Sequence, residues 1–130
     1  MVMLQSLFTF IIGGLLYLLL ELAWRGRSHL SMFITGGLCC MLLSALFLRY
    51  APAWPLRFLL AGVVITAAEF LCGCAVNRHL GLGVWDYSTR SRNLYGQVCL
   101  DFSLLWCLMA LPISALGAYA AYLVNLVSPY

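Results

Sequence analysis

There is no lysine in this chain of 130 residues, and its four carboxylates, Glu21, Glu69, Asp86 and Asp101, face only seven arginines. Charged residues make up 8% of the sequence, against about 25% in soluble domains. That scarcity excludes an ordinary water-exposed surface. Runs of like charge are missing too, and a formal net charge of +3 leaves no basic footprint for nucleic acid. No G-x-x-x-x-G-K-[ST] loop cradles a nucleotide's phosphates, so any ATP hydrolysis would fall to a separate ATP-binding chain. Neither H-x-x-x-H nor H-E-x-x-H occurs, and no metal or cofactor is implied. Residues 1–24 lack the positive n-region and small-residue cleavage site of a secretory signal, so the first apolar run is expected to be retained as a helix.

The chain is instead 65% hydrophobic, with a mean hydropathy of +1.01. Four runs are long enough for a hydrocarbon core that needs about 20 apolar residues in a helix. They cover roughly residues 2–23, 31–50, 56–77 and 97–126, with a polar lid loop over about 78–96. The expectation is an all-α bundle of four transmembrane helices in a single domain spanning residues 1–130, with both termini on one side. Cys39, Cys40, Cys72, Cys74, Cys99 and Cys107 all fall within or at the ends of these helices, as packing residues do. Cys72 and Cys74 with His79 make a weak metal set, because neighbouring helical positions point in different directions.

Arginine distribution sets the expected orientation. Loops 1–2 and 3–4 carry five arginines (Arg25, Arg27, Arg78, Arg90, Arg92) and loop 2–3 carries two (Arg49, Arg57). The positive-inside rule then puts loops 1–2 and 3–4 in the cytoplasm, for a protein of the cell (inner) membrane. Arginine's planar fork also suits bidentate contact with phosphate or carboxylate. Pro52, Trp54 and Pro55 make an interfacial turn between helices 2 and 3. Glu21, Arg25 and His29 on one side, and Glu69, Arg78 and His79 on the other, suggest two related helical hairpins.

Glu69 is the most informative position, because it sits only about 4.5 Å from the middle of its helix. A charge there costs roughly 2.5–3.5 kcal/mol on insertion scales. Gly62, Thr66, Glu69, Gly73 and Asn77 recur at helical spacing, a small and polar stripe that should face protein. Such an acid is either a cavity residue or a hydrogen-bonding contact between helices. Gly13, Tyr17 and Glu21 form a matching stripe on helix 1, and Glu21 with Arg25 is the favourable i, i+4 ion-pair order. Gly36, Cys40 and Ser44 make a packing seam on helix 2. If helix 4 starts near Ser91, then Asn93, Gln97 and Asp101 descend along one face of it, and Pro112 kinks it midway. Trp85, Asp86, Tyr87 and Ser88 read as a lid, with Gly81 and Gly83 turning the chain after helix 3.

Taken together, Glu21, residues 24–32 (WRGRSHLSM), Gly36-Gly37, Glu69 with Gly73 and Asn77, residues 84–88 (VWDYS), and Asn93 with residues 96–100 (GQVCL) resemble the type IV ABC-transporter membrane proteins called CmpB-like. The resemblance covers roughly residues 17–106. It implies a transport-related membrane component; the chain carries no nucleotide-binding domain, and its brevity leads us to expect a homo-oligomer or a partner membrane subunit. Leu30 stands where an aromatic is expected, and Asp101 where an uncharged residue is expected.

The leading expectation is a cytoplasmic-side polar cavity for a small polar or anionic group, a membrane lipid headgroup among them. Arg25, Arg27 and His29 would meet the anion. Glu21 and Glu69 would hold hydrogen bonds or protons, residues 85–88 would cover the site, and Asn77, Asn93, Gln97 and Asp101 would line or orient. One alternative is an intramembrane enzyme acting on a lipid phosphate or isoprenoid, with Asp86 or Glu69 as acid or base. Another is a non-catalytic subunit whose buried polar groups only fix helix register.

Overall fold

The computed structural model describes residues 2–128. In chain order it contains α1 (Val2–Arg25), α2 (Leu30–Tyr50), α3 (Trp54–Gly73), a π-helical turn (Cys74–His79), two short strands β1 (Asn93–Leu94) and β2 (Val98–Cys99), α4 (Leu100–Cys107) and α5 (Ala110–Val127). Four stretches are long and apolar enough to span a membrane: Val2–Arg25, Leu30–Tyr50, Trp54–His79 and the composite Leu100–Val127. Among the described residues the protein is an all-α, four-span integral membrane bundle.

The faces of α1 show why it suits lipid. Leu4, Leu7, Ile11, Leu15, Leu19 and Leu22 are exposed, while Thr9, Gly13, Tyr17 and Glu21 are buried. A soluble helix would have these faces exchanged. With leucine turned outward, helix association rests on close packing and interhelical hydrogen bonds. Gly13 lies against Cys40 and Gly36 against Tyr17 so closely that a Cβ on either glycine would overlap the facing side chain. The seam of Gly36, Cys40 and Ser44 is accordingly buried.

At the far turn, Ala51 closes α2 in the left-handed region and Pro55 opens α3. Arg57 pins that turn. Its Nε donates to the Pro52 carbonyl at 2.9 Å, its Nη1 donates to Ser114 Oγ at 3.1 Å, and its guanidinium lies 4.9 Å from the Trp54 ring centre. The opposite end of α3 runs beyond its expected limit at Asn77. Its last turn widens into a π-helix, where the Leu80 amide bonds to the Ala75 carbonyl at 3.0 Å.

The start of the fourth span corrects the sequence reading. Helix 4 begins at Leu100, because residues 91–99 form a tight antiparallel hairpin pairing Asn93 with Cys99 and Leu94 with Val98. Arg92 (φ 55°), Tyr95 (φ 53°) and Gly96 (φ 70°) all lie in the left-handed region, through which a right-handed helix cannot pass. Asn93, Gln97 and Asp101 therefore do not share a helical face. The kink falls at Leu108 and Met109, one turn before Pro112. Proline has no N–H to offer the Leu108 carbonyl and its ring crowds that group; Leu111 takes the bond instead, at 3.2 Å.

Candidate functional site

The buried acid sits where three spans meet. Glu69 is 3% exposed; Tyr17 of α1 donates its hydroxyl to Oε1, and Trp106 of α4 donates Nε1–H to Oε2 at 2.9 Å. Tyr17 and Trp106 also lie ring to ring, with centroids 5.6 Å apart. The rest of the α3 stripe faces the fourth span and the loop before it. Thr66 donates to Ser103 at 2.9 Å, and Asn77 Nδ2 donates to Gln97 Oε1 at 2.9 Å. Glu69 thus binds helices together through both carboxylate oxygens.

The loop after α3 folds back as a lid. Buried Trp85 and Tyr87 alternate with exposed Asp86 and Ser88, the period of extended chain. Trp85 Nε1 donates to the Gln97 carbonyl at 2.8 Å, and the Tyr87 amide to the Gly96 carbonyl at 2.8 Å. Gln97 Nε2 donates to the Tyr95 carbonyl at 2.8 Å, while Asn77 Oδ1 accepts from the Val84 amide at 2.6 Å. The amides of Asn77 and Gln97 are thereby used within the protein. Close approach here depends on Gly73, where a Cβ would stand 2.6 Å from Gln97 Oε1 and 3.0 Å from the Trp85 ring.

On the outer side of the lid lies an open recess of about 610 Å³, lined by Trp24, Arg25, Arg27, Trp85, Asp86, Tyr87, Thr89, Arg90 and Phe102. Arg25 organises it. One guanidinium nitrogen donates to the Tyr87 hydroxyl, the group lies 5.1 Å from the Tyr87 ring centre, and Nη1 is 3.3 Å from Glu21 Oε2. That Nη1 is buried yet makes no hydrogen bond among the described residues. Tyr87 stacks on Phe102 at 5.1 Å, and the Arg90 guanidinium lies 4.8 Å from the Phe102 ring centre. Neither Arg27 nor Arg90 is ion-paired among the described residues. Burial, then the Glu69 carboxylate, pushes the Tyr87 phenol up, so it stays neutral. At the rim, the Ser88 amide donates to Asp86 Oδ1 at 2.8 Å and holds that carboxyl below its usual range.

Of the residues singled out by sequence, Arg25, Arg27, Trp85, Asp86 and Tyr87 converge on this recess, with Glu21 behind Arg25. Glu69, Asn77 and Gln97 lie deeper, in packing contacts. The others go elsewhere. His29 caps α2, its Nδ1 accepting from the Ser31 amide at 3.1 Å. Asn93 closes the hairpin, its Oδ1 accepting from the Gly96 amide at 2.9 Å. Ser88 and Asp101 are exposed, and Asp101 occupies the first turn of α4, where a carboxylate complements the helix dipole. Trp24, Arg90, Phe102 and Trp106 were missed as site residues. Trp24 adjoins Arg25 and Phe102 adjoins Asp101 in sequence, but an aromatic in an apolar run carries no site signal of its own, and only the folded lid brings Arg90 and Phe102 beside Arg25.

Neither the curated proteins nor the solved structures yield a match to the chain. A family model does match it, over residues 8–128 and thus nearly end to end. The protein therefore belongs to the membrane family described as "Putative ABC-transporter type IV".

Proposed function

We propose that this protein is a transport-related membrane subunit that binds an anionic group, of the phosphate or carboxylate kind, in the arginine recess between the end of α1 and the lid. The observation that carries the reading is the convergence of Arg25, Arg27 and Arg90 on one aromatic-walled recess, where Arg27 and Arg90 have no carboxylate partner among the described residues. A guanidinium held between Tyr87 and Glu21 is pre-set in orientation, which lowers the entropy lost on engaging an oxyanion. The arginine count supports placing the recess at the cytoplasmic face of the cell membrane. Membership of an ABC-transporter family supports work beside a separate ATP-binding chain, with further copies or a second membrane subunit completing the assembly.

The paired carboxylate oxygens of Glu69 favour the register-fixing role for that residue. In this reading Asn77, Asn93 and Gln97 hold the lid's shape, and His29 and Asp101 serve helix ends. Isothermal titration of the detergent-purified protein with inorganic phosphate and glycerol phosphate tests the reading. Binding that weakens about tenfold in Arg27→Gln/Arg90→Gln, with a shallower salt dependence, supports it. Equal binding by the wild type and the double variant overturns it.

A further inference from the structure

The recess does not end at the lid. A second groove of about 230 Å³ runs from it down the outside of the bundle, its further wall made by Leu20, Glu21, Leu105, Trp106, Leu108 and Met109. Trp24, Arg25, Tyr87 and Phe102 line both spaces, so the two share a wall. Their characters differ along the membrane normal. The outer space carries three arginines and Asp86, and the inner one, below Glu21 and Arg25 at its head, is walled by leucine, methionine and aromatic carbon between α1 and α4. Leu20, Leu105 and Leu108 are about half exposed, so the groove opens sideways toward lipid.

We infer that the occupant is a membrane lipid bearing a phosphate headgroup, with its phosphate against Arg25, Arg27 and Arg90 and one acyl chain lying in the α1–α4 groove. This rests on the arginine recess as the anion site and adds its substrate class. Charge complementarity places the phosphate. Arg27 and Arg90 lack a carboxylate partner among the described residues, and Arg25, paired with Glu21 at 3.3 Å, stands in the wall shared by the two spaces. Continuity of the walls places the chain: a molecule whose headgroup fills the recess must lead its glycerol end past Trp24 and Phe102, whose rings meet edge to face at 5.9 Å. Trp24 is 68% exposed, an amphipathic ring at the point where headgroup gives way to hydrocarbon. The break at Leu108 and Met109 puts the groove's floor where the fourth span changes course.

The shared chemistry, phosphate against arginine, would also serve a free phosphate, and the experiment separates the two. Native mass spectrometry of the detergent-solubilised protein is run with dioleoyl phosphatidic acid, with dioleoyl phosphatidylcholine as the zwitterionic control. Titration with inorganic phosphate runs alongside. The expected result is retention of phosphatidic acid at least about tenfold above phosphatidylcholine, lost in Arg27→Gln/Arg90→Gln. In Leu105→Trp, which fills the groove from its lipid-facing side, phosphatidic acid binding falls by a similar factor and inorganic phosphate binding is unchanged. Leu108→Trp repeats the test should Leu105→Trp fail to fold. If both groove variants retain phosphatidic acid at the wild-type level while the arginine variant loses inorganic phosphate, the lipid assignment is wrong and the anion recess stands. If the arginine variant loses neither probe, both readings fall. A diazirine-bearing acyl chain that labels segments remote from α1 and α4 also overturns the lipid assignment.

Discussion

Replacing Glu69 by leucine tests what holds the three spans in register. The substitution leaves Trp106 Nε1–H and the Tyr17 hydroxyl without their acceptor, both within a buried contact. An orphaned buried donor costs about 1–3 kcal/mol. Hydrogen bonds between transmembrane helices average nearer the low end, since the unfolded chain in a membrane also finds partners. The expected loss is therefore about 2 kcal/mol, offset in part because the buried carboxylate's own desolvation is relieved. That offset makes the comparison with compensated variants decisive. Leucine at 69 combined with Tyr17→Phe and Trp106→Phe leaves no polar group unpaired and should return to within about 1 kcal/mol of the wild type. Glu69→Gln should stay close to wild type. Its amide oxygen can accept from Trp106, and its amide nitrogen can donate to the Tyr17 hydroxyl, which also accepts. Unfolding in mixed micelles, followed by far-ultraviolet circular dichroism, reads all four proteins. A Glu69→Leu protein as stable as the wild type, or a Glu69→Gln protein that falls as far as Glu69→Leu, refutes the register role.

Gly73→Ala should shift Gln97 and Trp85 and destabilise by about 1–3 kcal/mol, and limited proteolysis should then cut between residues 80 and 99 before the helices are lost. Because hydrogen bonding lowers the Asp86 carboxyl, its contribution is full above the ordinary carboxylate range and fades as pH falls through the depressed value. Hydrogen exchange at the Ser88 amide should therefore quicken below pH 4 (roughly the unperturbed aspartate value) beyond the intrinsic trend, and Asp86→Asn should abolish that excess. Pro112→Ala restores an N–H facing the Leu108 carbonyl, and exchange at residue 112 should show a protected amide and a straighter fourth span.

Composition and apolar run length made the four spans legible, because a bilayer admits only backbone that satisfies its own hydrogen bonds over about 20 residues. The stripe from Gly62 to Asn77 was equally legible, since helical spacing fixes which side chains share a face. Within that frame, the identity of each partner depended on distance in space. Nothing local says that Tyr17 and Trp106 would divide the two oxygens of Glu69, since they stand 52 and 37 residues away from it. The hairpin at 91–99 escaped the periodicity because Asn93, Gln97 and Asp101 fit a helical spacing as well as they fit a turn. Backbone geometry at Arg92, Tyr95 and Gly96 decided between them.

From the sequence alone came the membrane, the number of spans, the packing stripes and the arginine-rich side, all consequences of solvent and of short-range geometry. Only the tertiary structure decided that Glu69 is shared between Tyr17 and Trp106 while Gln97 stops at Asn77, and that the arginines gather outside them. Those outcomes depend on how the lid folds back over α1 and the fourth span, a contact between segments some 60 residues apart in the chain, Arg25 to Tyr87 being 62.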